Sequence, residues 1–212
     1  MNSFEDVLLI DTLVVGQLHT NCYIVIDREK REGAVIDPGG DADFILQTIR
    51  THNVSIKWII NTHGHIDHIG ANADLKKETK AKIMIHLNDE PMLKDPELNG
   101  AVWLGIPFNS CDADVLIDDS CPITIGTQEF QVIHTPGHSP GSITLYRKGL
   151  IFSGDLLFKG GIGRWDLPGG DKRQLITSLE HILKLPSSTR VYPGHGPTTT
   201  IGRENIELTS IC

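Results

Sequence analysis

The residues best suited to chemistry lie in one segment, 63–68, which reads His-Gly-His-Ile-Asp-His. His63, His65 and Asp67 are spaced two apart, so an extended loop would send their side chains the same way, and His68 follows directly. Imidazole nitrogen together with carboxylate oxygen suits zinc, iron or manganese. A polar loop at a strand end is the usual explanation for a single histidine. Four ligand-type residues in six positions favour a metal site instead.

Three later segments each offer one further ligand beside a glycine. His138 lies in Pro-Gly-His-Ser, Asp155 follows Gly154, and His195 lies in Pro-Gly-His-Gly. Glycine at such a position lets the backbone approach a ligand shell closely. Each segment follows a strand-like run, and strand ends on one side of a sheet share one cleft. We therefore expect all four segments to meet.

Strand-like and helical runs follow one another in both halves of the chain. β-Branched residues and turn signals predict strands at 7–15, 22–27, 34–36, 58–60, 83–85, 123–125, 130–133, 143–146, 150–152 and 190–192. Helical periodicity predicts helices near 68–79, 171–185 and 202–208, and a further helix capped by Asp41 with Phe44, Ile45 and Ile49 on its apolar face. This order predicts an α/β fold of two mixed sheets packed face to face with helices outside.

Length and charge narrow the classes of function. The chain has 212 residues, which suits a single domain spanning 1–212. A formal net charge of −8 makes nucleic acid a poor partner. We expect neither a signal peptide nor a membrane helix, which needs about 20 apolar residues. The scattered cysteines indicate a cytoplasmic protein, with a Cys111–Cys121 disulfide as the alternative.

The chain resembles the metallo-β-lactamase superfamily and, within it, the short glyoxalase II-like hydrolases. The resemblance rests on HxHxDH followed by a separate His, Asp and His, and it extends from Thr20-Asn21-Cys22-Tyr23 through Asp37-Pro38-Gly39 to Tyr192-Pro193-Gly194-His195-Gly196. It implies the αββα sandwich, with two divalent metal ions between the loops at one sheet edge. Zinc is expected, and iron or manganese would also suit the ligands. By this resemblance one ion is held by His63, His65 and His138, the other by Asp67, His68 and His195, and Asp155 bridges them.

The same resemblance implies a mechanism. A metal-bridging hydroxide would be the nucleophile, and the second ion would stabilise the oxyanion. Asp67 and Asp155 are the expected catalytic residues; Asp67 could also accept a proton, although a role as ligand is favoured. Asp37 would support the metal shell by orienting a metal-bound histidine, or would simply cap its own turn.

Substrate recognition is less specified. His65 argues against the flavodiiron proteins, which have HxExDH, and class-B β-lactamases are expected to use a different ligand set at the second metal. The chain ends about 17 residues after His195, so we expect no C-terminal helical domain of the kind that helps glyoxalase II bind glutathione. Lys159 and Arg164 could bind a substrate carboxylate, unless Arg164 pairs with Asp166 or Asp171.

The expected function is hydrolysis of small thioesters such as S-2-hydroxyacylglutathione. A persulfide dioxygenase with one iron on His63, His138 and Asp155 is the alternative reaction. A non-catalytic metal-binding protein is disfavoured, because structural zinc sites are usually closed sets of four ligands rich in cysteine. The expected partner is a small-molecule thioester, with no nucleic acid and no membrane, and the oligomeric state stays open.

Overall fold

The computed structural model describes residues 4–120 and 122–209, which form two six-stranded sheets. The first sheet runs in chain order: β1 (Leu8–Val15), β2 (Thr20–Asp27), β3 (Glu32–Ile36), β4 (Ser55–Ile60), β5 (Lys82–His86) and β6 (Val115–Ile117). The second runs in the order β14 (Thr199–Thr200), β13 (Arg190–Pro193), β10 (Leu150–Gly154), β9 (Ile143–Arg147), β8 (Gln128–His134) and β7 (Ile123–Ile125). A small hairpin pairs β11 (Leu157–Phe158) with β12 (Gly161–Ile162).

Helices flank both sheets. They are α1 (Phe4–Val7), α2 (Ala42–His52), α3 (Ile66–Ile69), α4 (Asn72–Thr79), α5 (Ala101–Leu104), α6 (Lys172–Ile182) and α7 (Ile201–Thr209), with a 3-10 turn at Glu90–Leu93. None of these described helices has the length and apolar composition needed to cross a bilayer. Cys121 lies outside the described residues, and with it the Cys111–Cys121 pairing considered above.

The core has three apolar layers, which gives the predicted αββα sandwich. Alternation along β2 shows how the layers form, since side chains two apart face the same side of a strand. Ile24 packs toward α2 and α4, whereas Tyr23 packs between the two sheets with Phe152 of β10. A third layer joins the second sheet to α6 through Leu179 and its neighbours. The predicted fold class is confirmed.

Three details of the predicted helices are wrong. Asp41 precedes α2 in a left-handed conformation (φ 51°), and its carboxylate accepts a hydrogen bond from Gly16 N at 2.8 Å instead of capping the helix. Phe44 is 47% exposed rather than on the buried face. That face consists of Ile45, Leu46 and Ile49. The helix predicted near 68–79 is divided into α3 and α4.

The strand directions bring the candidate ligands to one edge. Strands β3, β4 and β5 are parallel, so Asp37 after β3 and the segment 63–68 after β4 leave the first sheet on the same side. In the second sheet β10 is parallel to β13, and β8 runs the same way because both β8 and β10 are antiparallel to β9. His138, Asp155 and His195 follow these three strands. The predicted convergence of strand ends is what the structure shows.

Candidate metal centre

The first ligand group consists of His63, His65 and His138, each of which offers one nitrogen within 4.8 Å of the others. His65 Nδ1 lies 2.9 Å from His138 Nε2. His138 Nδ1 donates to the carbonyl of Arg164 at 2.8 Å, so its Nε2 carries a lone pair. His63 Nε2 is buried without a hydrogen-bond partner among the described residues. Buried lone pairs that face one point fit a divalent cation.

The second ligand group consists of Asp67, His68 and His195, again with one ligand atom each within 4.8 Å. His195 Nε2 lies 3.2 Å from Asp67 Oδ2, and His68 Nε2 lies 3.5 Å from the same oxygen. His68 Nε2 also has no hydrogen-bond partner among the described residues. Asp67 and His68 belong to α3, which begins immediately after His65. A mixed set of one carboxylate and two imidazoles suits zinc, iron or manganese.

Asp155 stands between the two groups. Its Oδ2 lies 3.6 Å from both His138 Nε2 and His195 Nε2, and its Oδ1 lies 3.5 Å from His68 Nε2. A side-chain carbon added to Gly194 would overlap Asp155 Oδ1, so the glycine is what lets the His195 loop pass this close. The structure therefore brings all seven candidate ligands together and places one carboxylate where it can reach both groups.

Asp37 makes the contacts that an orienting residue needs. Its carboxylate accepts hydrogen bonds from Thr62 N and Thr62 Oγ1, both at 2.7 Å. Its Oδ2 also lies 3.0 Å from His68 Nδ1, and both side chains are buried. A carboxylate beside Nδ1 leaves Nε2 of the same ring directed at the second ligand group. These contacts go to the ligand segment rather than to the turn of Asp37 itself.

Sequence reasoning missed Asp89, a fully buried carboxylate that joins the two loops of the first ligand group. Its Oδ2 accepts hydrogen bonds from Gly64 N at 2.9 Å and from Ser139 Oγ at 2.6 Å, while its Oδ1 accepts one from Gly141 N at 2.6 Å. Burial raises the pKa of Asp89, and these hydrogen bonds oppose that shift. The available signal was its place just after β5, at the same sheet edge as the ligands.

Residues of β2 fix the loop of His195. Asn21 Nδ2 donates to the carbonyl of Pro193 at 3.0 Å, and Tyr23 Oη donates to the same oxygen at 2.6 Å. Thr20 Oγ1 donates to Asp67 Oδ2 at 3.3 Å. In the sequence these residues contributed only to the family resemblance; the structure shows that they position the second ligand group.

The two groups differ in charge. Burial, reinforced by neighbouring imidazoles, lowers the pKa of His63 well below its usual range and that of His65 to about 3. Burial acts the same way on His68, but the carboxylates of Asp67 and Asp155 outweigh it and raise the pKa of His68 to about 10. His63 and His65 thus offer free lone pairs at neutral pH, whereas His68 holds a proton that a cation must displace.

A cavity of about 760 Å³ opens on both groups. Besides the candidate ligands His65, Asp67, His138, Asp155 and His195, its lining is largely apolar. Arg164 lines this cavity, but its guanidinium binds Asp166 through Nε and Nη2 at 2.8 and 2.9 Å, which is the pairing considered as the alternative above. Lys159 is exposed and lies outside the lining residues. We call this space the apolar cavity.

Comparisons with known proteins agree with this geometry. The family model described as "Metallo-beta-lactamase superfamily" matches residues 15–195. The hydroxyacylglutathione hydrolase GloC of Haemophilus influenzae is 34% identical over 204 residues, covering 92% of this chain and 94% of the relative. The crystal structure of BLEG-1 B3 metallo-beta-lactamase is 40% identical with a TM-score of 0.88, covering 92% and 96% of the two chains. The crystal structure of TTHA1623 in a di-iron-bound form is 37% identical with a TM-score of 0.84, at 92% and 96% coverage.

The raised pKa of His68 predicts how the stability of the metal-free protein depends on pH. A folded-state pKa of about 10, against an ordinary value of 6.5, gives stability that is complete below pH 6.5 and is lost as the pH rises toward 10. We expect the free energy of unfolding in chelator to fall between about pH 7.5 and 8.5. This window lies above the range in which His63 and His65, whose pKa values are lowered, add stability with rising pH. It lies below the range in which the buried thiol of Cys22 adds an effect similar to that of His68. Urea unfolding at several pH values measures it. His68→Gln should flatten this slope, and a rise across the window would contradict the prediction.

Because Asp89 joins the two loops of the first ligand group, its replacement should lower metal affinity by more than the accompanying loss of stability explains. In Asp89→Asn the amide has one acceptor oxygen, so its NH2 group must face one of the donors that now hold the two loops. We expect a destabilisation of about 1–3 kcal/mol and a decrease of about tenfold or more in Zn²⁺ affinity. Denaturation and competition with a chromogenic chelator measure the two effects.

Asp27 supplies the matched control. It is 1% exposed and accepts hydrogen bonds from Glu29 N, Lys30 N and Thr127 N, at the opposite end of β2 from Thr20. Asp27→Asn should destabilise the protein to a similar extent and leave Zn²⁺ affinity unchanged. Equal losses of affinity in both variants would show that Asp89 acts only through general stability.

Proposed function

The chain belongs to the metallo-beta-lactamase superfamily, and from this premise we propose that it is a metal-dependent hydrolase of small thioesters, the class of compound of which S-2-hydroxyacylglutathione is one example. The main observation that supports the proposal is that seven ligand-type side chains form two adjacent groups beside a cavity. Structural metal sites are closed sets of four ligands. A larger set that opens on a cavity is suited to catalysis.

We propose two divalent cations as the cofactor, with zinc first and iron or manganese as alternatives. The donor set of imidazoles and carboxylates supports all three metals, and a similar solved structure is described as a di-iron-bound form. Side by side, such ions lower the pKa of a bound water and polarise a carbonyl oxygen. The residues proposed to hold them are the two ligand groups and Asp155.

The protein's own residues suit a substrate whose leaving group needs no proton. Burial opposes ionisation of Asp67, but His68 and His195 outweigh it and lower the pKa of Asp67, which keeps the carboxylate charged and makes it a weak base. Apart from the candidate ligands, the described residues that line the apolar cavity include no histidine, cysteine, tyrosine, lysine or carboxylic acid. A thiol has an ordinary pKa of about 8.5 and can leave as the thiolate. The absence of a further proton donor in this lining supports a thioester over an amide.

Two other reactions are treated as outcomes of the test. The expected difference in ligand set does not separate this chain from β-lactamases, because BLEG-1 B3 metallo-beta-lactamase is 40% identical to it; a β-lactam therefore belongs in the substrate panel. Persulfide dioxygenation on one iron would use only His63, His138 and Asp155. The second ligand group, which that reaction does not need, supports two metals instead.

Ligand variants test the proposal. We expect His63→Ala and Asp155→Ala each to lower metal-dependent thioesterase activity by about a hundredfold or more, because each removes a donor atom that nothing nearby can replace. Circular dichroism checks the fold, and elemental analysis gives the metals bound per chain. His181→Ala, an exposed histidine on α6, is the control and should keep full activity.

Three results would contradict the proposal. Full thioesterase activity in either ligand variant without metal would refute the role of the metal centre. One iron per chain together with oxygen uptake on a persulfide would identify the dioxygenase instead. Turnover of a β-lactam and of no thioester would replace the substrate class.

A further inference from the structure

Two groups of apolar side chains line the apolar cavity together with the candidate ligands. One group, which we call the apolar wall, consists of Leu18, Leu98, Trp103 and Leu104, and the other consists of Phe158, Ile162, Leu167 and Pro168. A volume of about 760 Å³ is in the range that holds a small molecule. We propose that the part of the substrate in this cavity is apolar, an aryl or branched alkyl group, and that it is not glutathione. This inference rests on the proposed thioester hydrolysis.

Apart from the proposed metal ions, the side chains that line the cavity offer an anionic substrate no unpaired cation. Arg164 is the one lysine or arginine among the described residues that line it. Its Nε and Nη2 bind the two carboxylate oxygens of Asp166, so the pair is bidentate and neutral in sum. The two carboxylates of glutathione would therefore meet a side-chain cation whose charge Asp166 already offsets.

The wall around α5 leaves apolar surface in water. Trp103 is 57% exposed and Leu104 is 46% exposed, with Leu18 and Leu98 at 41% each. Covering such surface is favourable by roughly 25 cal/mol per Å² of apolar area. Clustered exposed side chains of this size indicate a binding surface rather than scattered surface residues.

This wall is fixed relative to the metal centre. Ile66 N, at the start of α3, donates to the carbonyl of Asn99 at 2.9 Å, and Asn99 Nδ2 donates to the carbonyl of Met92 at 2.9 Å. Asn99 is buried and directly precedes Gly100 and α5. The distance from the apolar wall to Asp67 and His68 on α3 is therefore set before a ligand binds, which lowers the entropic cost of binding.

The occupant must be a small molecule that reaches the metal centre. His65, Asp67 and Asp155 line the same cavity as Trp103, so a molecule on the apolar wall is continuous with the reaction centre. A second protein seated on this wall would close the entrance to the candidate ligands. We therefore assign the apolar wall to binding of the substrate itself.

A panel of matched thioesters tests the inference. The acetyl and phenylacetyl thioesters of N-acetylcysteamine, which are neutral, are compared with the same two thioesters of glutathione, and phenethyl thioacetate carries the aryl group on the thiol side. For the metal-loaded protein we expect kcat/KM to be about tenfold or more higher for the aryl-bearing neutral substrate that fits the cavity than for the acetyl one. We expect the glutathione thioesters to be poorer than their neutral counterparts.

Substitutions in the apolar cavity test whether its residues cause the preference for aryl substrates. Trp103→Ala should remove most of the aryl preference, and Trp103→Phe should restore it. Phe44→Ala is the matched control, because Phe44 is an aromatic residue of similar exposure, 47%, outside the cavity. Asp166→Asn frees Arg164 and should lower KM for the glutathione thioesters.

Binding gives a readout independent of turnover. Calorimetry with the non-hydrolysable thioether S-phenethyl-N-acetylcysteamine should show weaker binding by about tenfold in Trp103→Ala, with no change in Phe44→Ala. A wild-type preference for glutathione thioesters, or equal rates for acetyl and aryl substrates, would overturn the inference and leave thioester hydrolysis standing. A Trp103→Ala variant that changes the oligomeric state but not the substrate preference would also overturn it. Absence of all thioesterase activity in the metal-loaded protein would instead refute the proposed function.

Discussion

Several polar atoms of the candidate metal centre are buried close together, and among the described residues they have no hydrogen-bond partner. His63 Nε2, His68 Nε2 and Asp155 Oδ1 are inaccessible and make no hydrogen bond among the described residues. Each such atom costs free energy, because it has lost its contacts with water and gained none in return. A fold that keeps these atoms together must therefore hold the ligand loops through contacts that do not use the atoms themselves, and residues next to the centre make such contacts.

Each part of the centre is held by its own acceptor or donor. Asp37 binds the segment of His63 and His68 through Thr62. Asp89 ties that segment to the loop of His138, and residues of β2 hold the loop of His195. Because these contacts are buried and do not use the ligand atoms His63 Nε2 and His68 Nε2, those atoms keep their places without a hydrogen-bond partner among the described residues. The centre is thus organised before any cation binds, at the expense of stability that the three apolar layers supply.

How far sequence predicts such a site depends on how local its parts are. The HxHxDH segment and the three glycine-flanked ligands can be predicted from the sequence, because their spacing and the strand that precedes each of them are visible within a few residues. The partners of Asp89 lie 25, 50 and 52 positions away in sequence, so its role follows only from the fold. Asp41 failed as a predicted cap for a similar reason, since its hydrogen bond goes to Gly16, 25 positions away. For Arg164, whose partner is two residues away, the sequence offered both outcomes, and contact geometry was needed to choose.

The centre and the cavity are built from different kinds of structure. Four strand ends in two sheets carry the candidate ligands and fix their positions to the core. The walls of the apolar cavity come from the β1–β2 turn, the short helix α5 and the segment around β11 and β12, which depend less on the core. Such segments tolerate exchange of side chains more readily than buried strands do. Chains described as a hydroxyacylglutathione hydrolase and as a metallo-beta-lactamase are 34% and 40% identical to this one, each over 92% of its length, so one fold accommodates more than one class of substrate. Substrate specificity in this chain is accordingly expected to depend on Trp103, Leu104 and the paired Arg164 rather than on the histidines.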